Sequence, residues 1–292
     1  MNAKQSTSMK MGSVLEALAI KECESLQHAL TLRKSRHDGI HIARKSGRRL
    51  RSLLAFFRPQ LDQKAAKLDL TLKQWVSDFS PLRDAHIATR TARILATTDK
   101  ATLTPSLMET LEQRSEDLLK QALQSDPDWR HRRANARGIA TAVENLPWQQ
   151  IDVATAKQVL KRSIRRMKKA RKAALKKRTI HAFHRWRRRA RGLRYQLEFL
   201  RKASRGMGMK KKHAQRYAAR VKRLSLIIDR LGWRQDFQVF LKALDRLPVS
   251  EDVIALSRTL RMQSVALSNE SPSKPKTKSE RIYMAHGSGK LT

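Results

Sequence analysis

Residues 41–51 read HIARKSGRRLR and residues 184–194 read HRWRRRARGLR, so one spacing of a histidine and three arginines occurs twice in the chain. On an α-helix, positions three, four or seven residues apart lie on one face. Each copy therefore predicts a cationic face roughly 15 Å long, here called a stripe. The first stripe contains His41, Arg44, Arg48 and Arg51, and the second contains His184, Arg187, Arg191 and Arg194.

The charge balance of the chain points to an anionic partner. The 292 residues include 64 Lys or Arg and 25 Asp or Glu, which gives a formal net charge of +39. Like charges one helical turn apart repel by a few tenths of a kcal/mol per pair (about 0.2–0.5), and a multivalent anion relieves that repulsion. Nucleic acid, an anionic membrane surface and polyphosphate all fit this charge, which does not choose among them.

Composition excludes several other classes of protein. An apolar content of 40% is sufficient for a folded core. The single cysteine, Cys23, excludes an intramolecular disulfide and a cysteine-rich zinc site. Residues 1–12 lack the apolar segment of a signal peptide, and no uninterrupted run of 18 apolar residues follows. The sequence predicts a cytoplasmic protein without membrane insertion.

The sequence predicts an all-α fold, because Gly and Pro are few and good helix formers dominate. No segment alternates apolar and polar residues as a strand does. Helices are predicted at residues 14–36, 40–59, 61–79, 82–96, 105–124, 153–177, 180–203, 210–230, 235–247 and 251–267, with a linker around 145–148.

A second pair of related segments follows the stripes. Residues 79–87 read FSPLRDAHI and residues 231–239 read LGWRQDFQV. Their shared acids, Asp84 and Asp236, follow predicted helix starts, so they either cap free backbone amides or accept a hydrogen bond from a stripe arginine. A catalytic carboxylate pair is the alternative, but acids are scarce in this chain. The structural role is therefore predicted.

The residues leave the role of the two stripe histidines open. His41 and His184 could contact a ligand, form buried hydrogen bonds or bind a metal. A metal site is disfavoured because neither helix supplies further ligands at coordinating spacing. No nucleophile elbow, phosphate loop or zinc motif occurs either, so no catalytic residue, metal or cofactor is predicted.

The four segments resemble the signatures of one family. Residues 41–57 and 184–200 resemble the signature helices of the CHAD (conserved histidine α-helical domain) family, and residues 83–84 and 231–236 resemble its second signature. The resemblance covers residues 12–267. It implies two pseudo-symmetric antiparallel four-helix bundles around a shared basic cavity that binds inorganic polyphosphate. It also implies association with polyphosphate granules.

The sequence predicts a domain division, in which the Ser, Pro, Lys and Gly content indicates the tail, and the resemblance implies contact residues. The division is a flexible N-terminus at 1–11, repeats at 12–145 and 152–267, and a disordered tail at 268–292. Gly192 and Gln235 depart from the family pattern, since both replace basic residues. The implied polyphosphate contacts are His41, Arg44, Arg48, Arg49, Arg51, Lys161, Arg165, Arg166, Lys168, Lys169, His184, Arg187, Arg188, Arg191 and Arg194.

Two functions compete with polyphosphate binding. A general nucleic-acid-binding or nucleoid-associated protein would use the same charge, and would prefer RNA or DNA to polyphosphate. A polyphosphate hydrolase would release orthophosphate with a divalent metal, but acidic metal ligands are scarce. If the stripe histidines touch phosphate, binding is expected to strengthen below about pH 6.5. The oligomeric state is left open.

Overall fold

The computed structural model describes residues 10–98, 103–248 and 251–269, and within them the fold is helical without a strand. The predicted all-α class is therefore confirmed for this part of the chain. Two short 3-10 helices lie at Pro127–Trp129 and Trp148–Gln150. The α-helices are α1 Met11–Ala29, α2 Arg36–Phe56, α3 Asp62–Ser77, α4 Ser80–Thr98, α5 Pro105–Ser125, α6 Arg130–Glu144, α7 Val153–Lys177, α8 Ile180–Gly206, α9 Lys211–Leu244 and α10 Glu251–Asn269.

The first helix is shorter than predicted. It ends at Ala29 rather than at residue 36, and α2 begins at Arg36, so Gly39 lies in the first turn of α2. A Cβ added to Gly39 would lie 2.4 Å from the carbonyl oxygen of Ala29. The two helices therefore meet closely where only glycine fits, and the chain turns just before this contact.

Helix α6 was absent from the predicted helices. Its buried residues Ala136, Ile139 and Val143 have helical spacing, so a periodic signal exists in the sequence. Asp126 is the C-cap residue of α5, and only three residues separate it from α6. Its carboxylate accepts hydrogen bonds from the backbone N–H of His131 at 2.8 Å and of Arg132 at 3.3 Å. This carboxylate anchors the start of α6.

Helix α9 is continuous, whereas the sequence predicts two helices divided near residues 231–234. Leu231, Trp233 and Phe237 are each at most 2% exposed. Burying such side chains is worth about 2–3 kcal/mol each, which outweighs the roughly 1 kcal/mol helix penalty of Gly232. Asp236 therefore lies inside a helix, and its predicted position near a helix start is wrong.

Two hydrophobic cores hold the helices together. One contains residues of α1, α2, α3, α6, α7 and α8 with the first part of α9. The other contains residues of α4, α5 and α10 with the second part of α9. Helix α2 packs on α8, and α4 packs on α9. Both cores thus combine helices from the two halves of the chain, which brings the stripe helices together.

The predicted flexible N-terminus and disordered tail lie largely outside the described residues. Helix α1 begins at Met11, and α10 continues to Asn269, two residues beyond its predicted end. Residues 1–9 and 270–292 are outside the described ranges. None of the described helices combines the length and apolar character that a membrane span requires.

Candidate polyanion site

The two stripes meet where α2 crosses α8. At this crossing the hydroxyl of Ser52 donates a hydrogen bond of 3.0 Å to the carbonyl oxygen of Gly192. Gly192 occupies the position that Arg49 has in the first copy, and it lines the cleft beside the crossing. An arginine there would project into that cleft, so this departure from the repeat keeps the space between the stripes open.

Five arginines form a central cluster around this crossing, and it consists of Arg44, Arg48, Arg83, Arg187 and Arg191. Burial lowers the pKa of Arg191 below its ordinary value, and the charges of Arg48 and Arg187 lower it further. Burial likewise lowers the pKa of Arg48, with Arg44, Arg187 and Arg83 adding to the shift. Residues of α2, α4 and α8 therefore repel one another within a common site.

Most hydrogen bonds of the stripe arginines go to neutral oxygens. Arg44 Nη1 donates to the carbonyl oxygen of Val76 at 2.6 Å and to Ser80 Oγ at 3.0 Å. Arg48 Nε donates to the carbonyl oxygen of Arg44 at 3.0 Å. Such bonds orient the guanidinium groups without neutralising them. Neither Arg48 nor Arg191 forms an ion pair within the described part of the chain.

A buried tyrosine lies among these charges. The ring of Tyr195 is 5.1 Å from the guanidinium carbon of Arg194 and 5.3 Å from that of Arg49. Burial acts to raise the pKa of Tyr195, but the charges of Arg191 and Arg48 lower it below its ordinary value. The ring faces thus offer cation–π contacts where carboxylates are few.

A basic cleft of about 240 Å³ adjoins the cluster between α2, α7 and α8. A second hollow of about 630 Å³ shares Ala55, Ser163 and Arg166 with it, so the two are contiguous. On the described lining of the basic cleft, Asp69 is the one acid, and it accepts a hydrogen bond of 2.7 Å from Arg51. The arginines that line the cleft are Arg48, Arg51, Arg166, Arg188, Arg189 and Arg191.

Arg49 is not part of this cleft. It is 7% exposed and forms ion pairs with Glu22 at 2.6 Å and with Glu198. Burial acts to lower its pKa, but the two carboxylates and their hydrogen bonds raise it above the ordinary value. The predicted contact residue Arg49 therefore joins α1, α2 and α8 as an internal ion triad.

The predicted contacts on α7 lie outside the central cluster. Lys161, Arg165, Lys168 and Lys169 are exposed on the surface of α7, and Arg166 is the predicted contact of this helix that lines the cleft. The structure therefore divides the predicted set into a cluster, a cleft and an outer basic face.

The two stripe histidines have different surroundings. His184 is half-buried, and its Nδ1 is hydrogen-bonded to Oε1 of Gln235. His41 Nδ1 is buried without a hydrogen-bond partner in the described structure. Burial, Arg83 and Arg48 lower the pKa of His41 to about 3. Burial also lowers the pKa of His184, against the effect of the Gln235 bond.

These shifts belong to the unliganded protein, and the expected gain of binding below about pH 6.5 stays a prediction. Burial, His37 and Arg83 lower the pKa of His86 to about 3 as well. His41 and His86 therefore stay neutral in the folded state. The unfolded chain protonates both near pH 6.5, so it binds more protons than the folded chain below that pH. Stability is therefore complete above about pH 6.5 and is lost as pH falls towards 3.

We expect acidification from pH 7.5 to 5.5 to destabilise the protein by roughly 1.4 kcal/mol for each of these two histidines. The measurement is urea denaturation at both pH values. His86→Gln introduces the residue that the second repeat has at Gln238. It should reduce the loss of unfolding free energy between the two pH values by roughly 1.4 kcal/mol. An unchanged difference in the variant would show that His86 titrates normally in the folded protein.

The second-motif acids lie close enough to influence each other. Desolvation raises the pKa of Asp84, Arg44 opposes the shift, and Asp236 adds to it. Arg44 thus acts on Asp84 through its charge, and the predicted pairing of Asp84 with a stripe arginine stays a prediction. In the described residues, no group of three or more His, Cys, Asp or Glu is arranged to hold a metal ion.

Two cations on α4 were not among the predicted contacts. Arg83 and Arg90 are 8% and 7% exposed, and both lower the pKa of His41. They are seven residues apart, so they lie on one face of α4. The seven-residue spacing of Arg83 and Arg90 is the sequence feature that indicates this second cationic face.

Comparisons with known proteins agree on family and fold. The sequence model of the CHAD domain matches residues 19–245. The solved structure of PptA from Streptomyces chartreusis superposes with a TM-score of 0.61 over 95% of this chain and 98% of that chain, at 15% sequence identity. This likeness concerns the fold alone. Among curated proteins, none matches the chain significantly.

Proposed function

The chain belongs to the CHAD family, and from that premise we propose that it binds inorganic polyphosphate without cleaving it. The observation that carries the proposal is the central cluster. Guanidinium groups from α2, α4 and α8 repel one another there. A linear chain of phosphates neutralises such neighbouring cations, and the planar arginine fork binds phosphate oxygens through two hydrogen bonds at once.

The proposed binding path runs from the central cluster into the basic cleft. Arg48 and Arg191 belong to both, so they link the two regions. The proposal omits Arg49, because its two carboxylate partners already neutralise it. It assigns Lys161, Arg165, Lys168 and Lys169 to an outer face that longer chains reach after leaving the cleft at Arg166.

The proposal includes a pseudo-symmetric origin for the site. Each half contributes one stripe and one aspartate motif, and the two stripes meet at the contact of Ser52 with Gly192. The proposed pseudo-symmetry concerns the stripes and aspartate motifs, whereas each hydrophobic core combines helices from both halves. A linear anion has two equivalent directions, so a site built from two related halves suits it.

One observation favours nucleic acid as a second candidate ligand. Helix α7 carries exposed cations along its length, with no ion pair formed by any of them within the described residues. A duplex backbone could lie along such a face without base contacts. Polyphosphate is preferred here because the central cluster is recessed among three helices, where a duplex does not fit.

Competition binding tests the proposal. We expect labelled long-chain polyphosphate at about 0.15 M salt to resist displacement by tRNA and duplex DNA at equal phosphate concentration. Its affinity should fall steeply with salt, because each neutralised phosphate releases condensed counterions. Preferential binding of either nucleic acid would refute the proposal. Orthophosphate release with magnesium or manganese would refute its non-catalytic part.

The proposed location follows from the proposed ligand. We expect the protein in the cytoplasm on polyphosphate granules, with the nucleoid as the location if nucleic acid is the ligand. A fluorescent fusion imaged in cells with and without polyphosphate distinguishes these outcomes. Foci that persist without polyphosphate would contradict the granule location.

A further inference from the structure

One position of the repeat is filled in the first half and open in the second. In the first half, the imidazole rings of His37 and His86 stack with centroids 4.4 Å apart and an interplanar angle of 20°. His37 lies four residues before His41, and His86 lies two residues after Asp84. The stacked rings thus join the first turn of α2 to α4.

The corresponding residues of the second half are not histidines. Four residues before His184 stands Ile180, and two residues after Asp236 stands Gln238. Both line a cavity of about 260 Å³ between the first turn of α8 and the C-terminal part of α9. The site that two flat rings occupy in the first half is therefore a cavity in the second.

The walls of this cavity combine apolar rings with cations. Phe183, Leu231 and Phe237 form its apolar surface, and the guanidinium carbon of Arg234 lies 4.9 Å from the ring centroid of Phe183. His181 and Lys242 are exposed on its lining. Its described lining includes no carboxylate. Inorganic polyphosphate has no apolar part, so these apolar walls do not serve the ligand proposed above.

We propose that this cavity binds a nucleoside phosphate, with the base inside and the phosphates beside the exposed Lys242 and His181. The stacked imidazoles at the equivalent positions of the first half point to a flat ligand group. Phe183 and Arg234 offer a ring and a guanidinium plane for stacking. The side-chain amides of Gln235 and Gln238 line the same cavity, and amides can hydrogen-bond to the edge of a base.

The size of the cavity agrees with this ligand. Small-molecule pockets are usually about 300–1,000 Å³, so a cavity of about 260 Å³ is large enough for a base but not for a complete nucleotide. The phosphates would then lie at the mouth, near His181 and Lys242. Because His184 belongs to both this cavity and the second stripe, a bound nucleotide would lie beside the polyphosphate path.

Calorimetric titration of the full chain with ADP, pyrophosphate and adenosine tests the proposal. We expect ADP to bind at least about tenfold more tightly than pyrophosphate, since stacking of one base is worth roughly 1–3 kcal/mol. Adenosine should bind more weakly than ADP, because it lacks the phosphates. Equal affinities for ADP and pyrophosphate would overturn the proposal, since the cations alone would then account for binding.

A variant that fills the cavity provides the matched control. Ile180→His/Gln238→His copies the stacked pair of the first half, and it should reduce ADP affinity to that of pyrophosphate while long-chain polyphosphate still binds. Retained preference for ADP would overturn the proposal. Photo-crosslinking of wild-type protein with 8-azido-ADP gives an independent result: adducts are expected on residues 180–184 or 231–242, and adducts elsewhere would oppose it. Neither result depends on polyphosphate binding.

Discussion

Replacing both Arg48 and Arg191 by glutamine is expected to weaken polyphosphate binding at least about a hundredfold while making the unliganded protein more stable. Each guanidinium can donate charge-assisted hydrogen bonds that are worth roughly 1.5–3 kcal/mol. Both side chains lie in the central cluster and in the cleft. Losing two such contacts therefore accounts for the expected fall in affinity.

The stability of the same variant should change in the opposite direction. In the unliganded protein, burial and neighbouring arginines lower the pKa of both residues, so each charge disfavours the folded state. Neutral side chains at buried charged positions are often stabilising, and we expect the free energy of unfolding to rise by about 1–2 kcal/mol. Urea denaturation and polyphosphate titration measure the two effects. Weaker binding together with a higher free energy of unfolding would exclude misfolding as the cause of the lost affinity.

An equal loss of charge elsewhere provides the control. Arg171 and Lys172 are exposed on α7 and do not line the cleft. Arg171→Gln/Lys172→Gln should weaken polyphosphate binding only several-fold, because screening limits the effect of distant surface charges. Similar losses in the two double variants would mean that the net charge acts diffusely and that the central cluster is not the site.

Arg49→Met is expected to destabilise the protein by about 3–5 kcal/mol. The substitution would leave Glu22 and Glu198 as two partly buried carboxylates facing each other without their shared cation. It would also remove the cation–π contact with Phe199, whose ring is 5.1 Å from the guanidinium carbon. The change in the free energy of unfolding can be measured by urea denaturation at neutral pH.

Two further variants separate this effect from a general loss of charge. Arg51→Met breaks the half-exposed pair with Asp69 and should cost at most about 1 kcal/mol. Combining Arg49→Met with Glu22→Gln and Glu198→Gln should restore part of the lost stability, because the two carboxylates that Arg49 joined no longer repel each other. Arg194, 3.4 Å from Glu198, compensates only one of them. Polyphosphate affinity of folded Arg49→Met should stay within a few-fold of wild type. A large loss of affinity would instead support Arg49 as a ligand contact.

The sequence alone determined the helical class and the two stripes, and it predicted an anionic partner. Helical spacing is a local property, so His41, Arg44 and Arg48 could be assigned to one face without any tertiary information. The repeat of that spacing, together with a net charge of +39, indicated a polyanion. Helical spacing also marks α6 and the face that Arg83 and Arg90 share on α4.

The tertiary structure alone decided which cations pair with carboxylates and which line the cleft. Arg48 and Arg49 are adjacent in sequence, but successive helix positions point in different directions, and only Arg49 meets carboxylates. One of these, Glu198, lies 149 residues away along the chain, so no local pattern could reveal the pair. Continuity of α9 through Gly232 and the cavity beside Ile180 likewise depend on contacts between distant helices. Helix faces are fixed by short-range geometry, whereas their partners are fixed by packing.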